Sequence, residues 1–354
     1  MCRKATERDN AMKGFMEQIV GNDRIKNRLC SDVLSGRFSH AYIIEGIKGS
    51  GKHTLARLTA AALACENKND PSAPLPCGVC ENCRKIGEFL CPDVITVGTE
   101  GKATLGVDSV RYIREDVFTV PNDLDNKLYI IEDADKMTVQ AQNAFLLTLE
   151  EPPAYVGFIL LCENSDALLE TIRSRAPILR TESVSKEDID EYICSKDRRA
   201  KEMKLSAPDD YAELLMAAEN GIGKALALLD PKELAPVLER RRLAKDFVAA
   251  SLGNGSHKDA LQLLSRFSTK RDALTEELKL IYTALRDLTL LKKSDSAPLF
   301  FYESYDTAFD ICESASTARL FSLIDTVSES IERISRNANV KLTLTSLMSK
   351  AEML

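Results

Sequence analysis

Gly46-Ile47-Lys48-Gly49-Ser50-Gly51-Lys52-His53-Thr54 is a glycine-rich run that fits the phosphate-binding pattern G-x-x-x-x-G-K. In this pattern the glycines let several backbone N–H groups converge on one anion, and the lysine ammonium reaches the terminal phosphates. The full pattern continues with Ser or Thr, whose hydroxyl is a ligand of Mg²⁺. His53 occupies that position here. Imidazole is a poor magnesium ligand, because Mg²⁺ prefers small oxygen donors in octahedral geometry.

The sequence on either side of this run predicts a strand, a turn and a helix in that order. Residues 41–45 are apolar and of strand length, and Leu55 and Leu58 recur at helical spacing. This order suits phosphate binding, because the anion then sits at the N-terminus of the helix. Thr54 points about 100° away from His53 on the helix and does not replace the missing hydroxyl. The run is therefore predicted to be a phosphate loop that either binds nucleotide or is kept only for its shape.

The bulk composition indicates a globular protein of more than one domain. The chain has 354 residues, of which 44% are hydrophobic and 29% are charged, and this suits two or three domains. The net charge of −7 argues against extensive nucleic-acid binding by the chain itself. Residues 1–15 are predicted to be a loosely structured extension without a signal peptide, and no apolar run approaches the roughly 18 residues of a membrane span. We therefore expect a cytoplasmic protein without a membrane partner.

Four cysteines after the phosphate-loop helix predict a structural zinc site. Cys77, Cys80 and Cys83 form two overlapping C-x-x-C pairs, and Cys65 can supply the fourth corner of a tetrahedron. In a reducing compartment, clustered cysteines are typical of metal ligands and not of disulfides. Four sulfur ligands leave no open coordination position, so the zinc would be structural and not catalytic. The alternative is a group of thiols without a metal, and Cys91 lies outside the predicted site.

A second apolar run, residues 127–131, ends in the acidic pair Glu132-Asp133. P-loop NTPases place carboxylates at such a strand end, one beside Mg²⁺ and one near the attacking water. The commoner motor pattern is Asp followed by Glu, so each side chain here differs in length by one methylene. Such a change can displace a catalytic carboxylate by about one ångström, which costs on the order of 100-fold in rate.

The middle of the chain predicts a further helix and a buried strand. Residues 136–151 have helical periodicity, with Thr138 as a possible N-cap. Residues 156–162 are all apolar and are expected in the centre of a parallel sheet. Asn164 follows that strand, where a sensor of the γ-phosphate would sit, although a turn-capping function fits it equally.

Beyond this strand the sequence offers two arginines and then only helices. Arg173 and Arg175 stand at the end of a short helical segment, where a solvated helix terminus and a functional role are equally compatible with the pattern. From Ser185 to Leu354 the periodicity is helical throughout.

Three stretches together resemble the clamp-loader branch of the AAA+ family, and within it most closely the bacterial DNA polymerase III subunits of the delta-prime type. They are residues 39–46 leading into the phosphate loop, the cysteine insertion after its helix, and residues 132–153. The resemblance covers nearly the whole chain and is strongest over residues 17–230. Arg175 lies in a segment similar to the Ser-Arg-Cys motif of the family, with the cysteine replaced. The resemblance implies an arginine finger, which can be worth on the order of 10³–10⁵ in rate at a neighbouring subunit.

The resemblance also implies the architecture. We expect an α/β fold, with a P-loop AAA+ domain at residues 1–182 that contains a parallel sheet and a zinc insertion at 65–83. A small helical lid would follow at residues 183–234, and a helical collar at 235–354 would hold a ring together.

The departures from the motor subunits of the same assembly imply a stator. His53 replaces the hydroxyl residue, the acidic pair is reordered, and Gly223 stands where motor subunits have an arginine that senses nucleotide. The implied function is a delta-prime-like subunit that supplies its finger to a neighbouring ATPase while the sliding clamp is loaded onto primed DNA in replication. Its own ATPase activity would be weak or absent. An active ATPase motor subunit is the alternative, and a zinc-dependent DNA-binding protein is disfavoured by the acidic charge.

The implied partners are the gamma/tau ATPase subunits and the delta subunit in a hetero-pentamer, with the sliding clamp and primed DNA reached through the assembled complex. Zinc is the expected cofactor, and ATP with Mg²⁺ is left open. The predicted nucleotide-binding residues are Gly46, Gly49, Gly51, Lys52, His53, Thr54, Glu132, Asp133 and Asn164.

Overall fold

The computed structural model describes residues 19–70, 72–99, 101–252, 262–263, 265–294 and 297–352. The extension predicted for residues 1–15 lies outside these ranges. The chain divides into two compact units. The first unit takes the chain up to Tyr192 together with Gly221–Gly223, and the second takes Ile193–Asn220 and the chain from Lys224 onward.

The first unit is an α/β structure in which strands and helices alternate. Its strands are β1 (Ala41–Glu45), β2 (Val94–Val97), β3 (Lys127–Ile131), β4 (Val156–Cys162) and β5 (Ile178–Arg180). Its helices are α1 (Asp23–Leu34), α2 (Lys52–Ala64), α3 (Glu81–Gly87), α4 (Val107–Asp116), α5 (Val139–Glu150) and α6 (Glu170–Arg173). Short 3₁₀ turns follow β3 and β4, at Ala134–Lys136 and Ser165–Ala167.

The five strands form one parallel sheet in the order β2-β3-β4-β1-β5. β4 is buried along its whole length between β3 and β1, which confirms the prediction of a central strand. β5 is a strand that the sequence pattern does not predict, because it has only three residues and follows Pro177. Pairing of Ile178 with Ile43 defines it.

Helices cover both faces of the sheet, because successive side chains of a strand point to opposite faces. Tyr42 and Ile44 of β1 belong to the apolar core shared with α1 and α2. Ala41 and Ile43 belong to the core shared with α4 and α5. Thr138 caps α5, as predicted, since its hydroxyl accepts a hydrogen bond from the N–H of Ala141 at 3.2 Å. The sheet is therefore the middle of three layers.

The second unit is helical in its described part, as the sequence periodicity predicts. Its helices are α8 (Arg198–Ser206), α9 (Pro208–Ala217), α11 (Pro231–Leu252), α12 (Arg271–Leu291), α13 (Tyr305–Ser314), α14 (Thr317–Ser335) and α15 (Val340–Glu352). Two further helices, α7 (Lys186–Lys196) and α10 (Ile222–Ala227), have residues in both units. Apolar side chains of α11, α12 and α14 form the core of this unit. None of the described helices is long and apolar enough to cross a membrane.

Candidate functional site

The glycine-rich run joins β1 to α2 in the predicted order of strand, loop and helix. Gly46 follows β1, and its N–H donates to the carbonyl of Cys162 at 3.0 Å. A Cβ at position 46 would lie 1.9 Å from the hydroxyl oxygen of Thr181, so only glycine fits there. Gly51 has a φ of +89° immediately before the helix, a conformation that side-chain-bearing residues rarely adopt. The loop thus has the backbone shape that the sequence predicts.

The Lys52 ammonium is bonded to the loop itself. Its Nζ donates to the carbonyl oxygens of Gly46 and Ile47, the latter at 2.9 Å. The side chain is buried, and this burial lowers the pKa of Lys52. A phosphate group bound at this loop would therefore have to exchange with two carbonyl contacts before it engages the lysine.

His53 contacts the acidic pair directly. Its Nδ1 lies 2.8 Å from Oε1 of Glu132. The sheet order explains the approach, because β1 and β3 flank β4 and the phosphate loop and Glu132 both follow the carboxyl ends of their strands. Imidazole and carboxylate thus meet where the sequence pattern places the magnesium ligands. The sequence identifies both residues but not their contact.

The other predicted nucleotide residues have local partners. Asp133 has a left-handed φ of +50°, and its carboxylate binds the Lys136 ammonium and the Thr99 hydroxyl, both at 3.1 Å. Burial alone would raise the pKa of Asp133, but the contacts with Lys136 and Thr99 outweigh it and lower the pKa. Asn164 accepts the N–H of Asp166 at 2.9 Å and thereby caps the 3₁₀ turn after β4.

Thr54 lines a cavity beside α2. This cavity has a volume of about 420 Å³, and His53, Glu132 and the apolar side chain of Ile130 also line it. Arg57 lies at its wall, with its guanidinium carbon 4.7 Å from the ring centre of Phe89.

Gly223 is packed against the phosphate loop within the first unit. Its N–H donates to the carbonyl of Gly49 at 3.1 Å. A Cβ at position 223 would lie 3.3 Å from the Cα of Gly49, which is tighter than most real Cβ contacts. A larger side chain at this position therefore requires the loop or the start of α10 to shift.

Arg175 lies at the amino end of the parallel strands, whereas the phosphate loop lies at their carboxyl end. It comes just before β5, whereas Gly46 follows the end of the neighbouring β1. The register pairs Ile43 with Ile178 and Glu45 with Arg180. Ile178, at the amino end of β5, is level with Ile43, which is about 10 Å along the strands from Gly46. Arg175 precedes Ile178 by three residues, in the turn after α6. Its guanidinium is bonded to Glu150 and Thr171 of the same unit.

The structure brings together the four cysteines that the sequence predicts as metal ligands. The Sγ atoms of Cys65, Cys77, Cys80 and Cys83 lie within 4.8 Å of one another. The sulfurs of Cys77 and Cys83 are 3.9 Å apart. A tetrahedral zinc site with Zn–S bonds of about 2.3 Å has sulfur–sulfur edges of about 3.8 Å. The separation of this pair therefore fits a tetrahedral ion without rearrangement.

Backbone N–H groups also suit thiolate ligands in this cluster. Cys80 N–H points at the Cys77 sulfur at 3.4 Å, and Cys83 N–H points at the Cys80 sulfur at 3.5 Å. Burial opposes ionisation of Cys77, but the N–H donors of Cys80 and Val79 outweigh it and lower the pKa to about 6. The donor set of four sulfurs fits a structural zinc ion. Cys91 is buried outside the cluster.

Comparison with known proteins supports one family. Residues 21–185 match the family described as DNA polymerase III, delta subunit. DNA polymerase III subunit gamma of Buchnera aphidicola subsp. Acyrthosiphon pisum is 27% identical over 312 residues, which is 88% of this chain and 80% of that protein. DNA polymerase III subunit tau of Escherichia coli K12 is 31% identical over 249 residues, which is 70% of this chain and 37% of that protein.

These matches support a relationship to the delta/gamma/tau-type AAA+ clamp-loader subunits of DNA polymerase III. The predicted resemblance to clamp-loader subunits is thus confirmed at the level of the family. The relatives carry the names gamma and tau, and the chain spans only 37% of the length of the tau proteins. Among solved structures, the match to a gamma subunit-related protein of Thermotoga maritima covers 92% of this chain and 98% of that protein's chain. The sequence identity is 20% and the TM-score is 0.47. The family assignment rests on the sequence matches alone.

Proposed function

We propose that this chain is a stator of the delta-prime type in the DNA polymerase III clamp loader. In this proposal Arg175 reaches the ATP of a neighbouring subunit and stabilises the charge of the transferring phosphoryl group. The position of Arg175 at the amino edge of the sheet is the observation that supports the proposal most strongly. Arg175 and the phosphate loop lie at opposite ends of the neighbouring parallel strands β5 and β1, so the target of Arg175 would be on another subunit.

The arrangement at the chain's own phosphate loop supports weak or absent hydrolysis. His53 replaces the hydroxyl that should bind Mg²⁺, and it engages Glu132 at 2.8 Å. Gly223 offers no guanidinium, and its backbone packs directly on Gly49. Phosphate can still enter the loop, because the glycines keep its shape and Lys52 is present. We therefore propose a binding-only or vestigial nucleotide site formed by Gly46, Gly49, Gly51, Lys52, Thr54, Asp133 and Asn164 together with His53 and Glu132.

The remaining parts of the chain would serve assembly. We propose that Cys65, Cys77, Cys80 and Cys83 hold one zinc ion, which ties the insertion to the end of α2. Residues 183–234 would act as the lid and residues 235–354 as a collar within a hetero-pentamer of gamma/tau and delta subunits. An amphipathic helical region suits such a collar, since it can bury apolar stripes against neighbouring chains.

A second candidate is an active ATPase motor subunit of the same loader. The names of the relatives favour it, because the matched proteins are called gamma and tau. The intact glycine geometry around Lys52 is also compatible with it. The two candidates differ in one respect that can be measured, namely whether turnover depends on Lys52 or on Arg175 of this chain.

The test is the ATPase rate of the reconstituted loader, stimulated by clamp and primed DNA. The subunit would be supplied as wild type, Lys52→Ala or Arg175→Ala. We expect Arg175→Ala to lower the rate several-fold while Lys52→Ala leaves it unchanged. Arg173→Ala is the matched control, because Arg173 lies two residues before Arg175, at the end of α6, and pairs with Asp166. A loss carried by Lys52→Ala and not by Arg175→Ala would identify the motor and refute the stator.

A further inference from the structure

The contacts of Arg175 point to a second residue in the proposed finger. We propose that Glu150 is a positioning residue, which holds the Arg175 guanidinium in the orientation that it needs to meet the phosphates of a neighbouring subunit. This inference rests on the proposed finger role of Arg175. Glu150 would act only through Arg175, without touching the nucleotide itself.

Two acceptors from different elements fix the guanidinium. Nη2 of Arg175 donates to Oε1 of Glu150 at 2.7 Å, and Nη1 donates to the carbonyl of Thr171 at 3.0 Å. The Ser174 hydroxyl lies 3.5 Å from Nη1. Nε of Arg175 makes no hydrogen bond within the described part of the chain, and Nη2 has only the one to Glu150. Adjacent free N–H groups are what a bidentate contact with phosphate oxygens uses.

The location of Glu150 is not explained by the stability of its own helix. Glu150 is the last residue of α5, where the helix dipole disfavours a carboxylate. No basic residue lies in the last turn of this helix. The charge of Glu150 is compensated instead by Arg175, which approaches from the segment between α6 and β5. The pair therefore joins two elements at the amino edge of the sheet.

Pre-orientation matters because arginine is a long side chain with many rotamers. Arg175 remains partly exposed, with 37% of its side chain accessible, so it is both held and reachable. A finger that is already oriented loses less conformational freedom when it meets the transition state. Preorganised charge of this kind is also the most effective at stabilising developing negative charge. Loss of Glu150 should therefore slow the neighbour's chemistry without removing the finger.

The experiment uses the reconstituted loader with this subunit as wild type, Glu150→Gln, Arg175→Ala or the double variant. Glu150→Gln keeps the volume and removes the charge, and exposed ion pairs contribute little to folding, so the variant should fold. We expect the stimulated turnover number to fall about three- to tenfold, with the KM for ATP unchanged. The control is Glu151→Gln, since Glu151 is an exposed neighbour without a hydrogen bond or ion pair in the described structure.

The double variant separates positioning from a merely structural function. If Glu150 acts through Arg175, adding Glu150→Gln to Arg175→Ala should cause no further loss. Additive losses, or an undiminished rate with Glu150→Gln alone, would overturn the positioning role. An Arg175→Ala variant that turns over like wild type would instead overturn the finger itself. The two failures are therefore distinguishable in one set of assays.

Discussion

Removal of metal from the cysteine cluster is the perturbation that the structure defines most directly. Four sulfurs already lie within 4.8 Å of one another, and the Cys77–Cys83 edge of 3.9 Å is close to the roughly 3.8 Å of a zinc tetrathiolate. Little reorganisation is therefore needed for binding. We predict that the protein holds one zinc ion per chain, and that Cys80→Ser or a strong chelator removes it.

The expected effect on stability follows from mass action. A ligand that binds only the folded state at 1,000 times its Kd stabilises that state by about 4.1 kcal/mol. For a unit of 150–250 residues, each kcal/mol shifts Tm by about 2–4 °C. Zinc removal should therefore lower the Tm of the first unit by about 8–16 °C. The second unit contains none of the four ligands, so its transition should move much less.

The assay combines metal content with thermal unfolding. Zinc released by a mercurial reagent is quantified with a chromogenic chelator, and unfolding is followed with and without added zinc. Cobalt substitution adds a structural readout, because tetrahedral cobalt thiolates absorb strongly in the visible range. Cys91→Ser is the control, since Cys91 is buried in the same unit but lies outside the cluster.

Two results would refute this reasoning. The first is protein prepared in zinc that contains no stoichiometric metal and unfolds at the same temperature with and without it. The second is loss of zinc from Cys91→Ser while Cys80→Ser keeps it, which would place the ligands elsewhere.

Two more variants test the nucleotide site and the helical unit. His53→Thr restores a hydroxyl beside Glu132, so the affinity for ATP in the presence of Mg²⁺ should rise about tenfold, or about 1.4 kcal/mol. The affinity is measured by calorimetry with and without Mg²⁺. An affinity of the variant that Mg²⁺ does not change would contradict the role of His53. Glu213→Gln should destabilise the second unit by about 3–5 kcal/mol in urea, because it leaves the buried Arg241 uncompensated, whereas the exposed Glu239→Gln should have little effect. Burial alone would raise the pKa of Glu213, but Arg241 and Lys245 lower it below its ordinary 4.5. The wild-type advantage should therefore be present above pH 4.5 and disappear as the pH falls through the lowered pKa, and a difference that persists in acid would contradict this assignment.

The fold is predictable where local pattern and burial coincide. β4 is recognisable because every residue from Val156 to Cys162 is apolar, and burial on both faces of a parallel sheet requires that. β5 is not recognisable, because Ile178–Arg180 is too short to show a period. Its pairing with β1 depends on how the chain returns after α6, and no local pattern encodes that return.

The candidate site divides in the same way. The phosphate loop and the cysteine cluster are predictable because their residues are close in sequence, so spacing alone brings their atoms together. The contacts of His53 with Glu132, of Gly49 with Gly223 and of Glu150 with Arg175 join residues that are far apart in the chain. These contacts depend on strand order and on how helices pack, which sequence spacing does not specify.

The parallel sheet separates the chain's proposed nucleotide site from its proposed finger. The phosphate loop, His53 and Glu132 follow the carboxyl ends of strands, whereas Arg175 and Glu150 precede the amino ends of β5 and β4. In a ring of related subunits with head-to-tail interfaces, opposite edges of one subunit face different neighbours. A change such as histidine at position 53 then weakens only the interface that contains this chain's own loop. The end of the sheet that carries Arg175 is not affected by that change. A subunit can therefore lose its own ATP hydrolysis and still be needed for hydrolysis at the neighbouring subunit. On this basis Arg175→Ala should slow hydrolysis at the neighbouring subunit, whereas Lys52→Ala should leave the rate unchanged, both alone and in combination with Arg175→Ala.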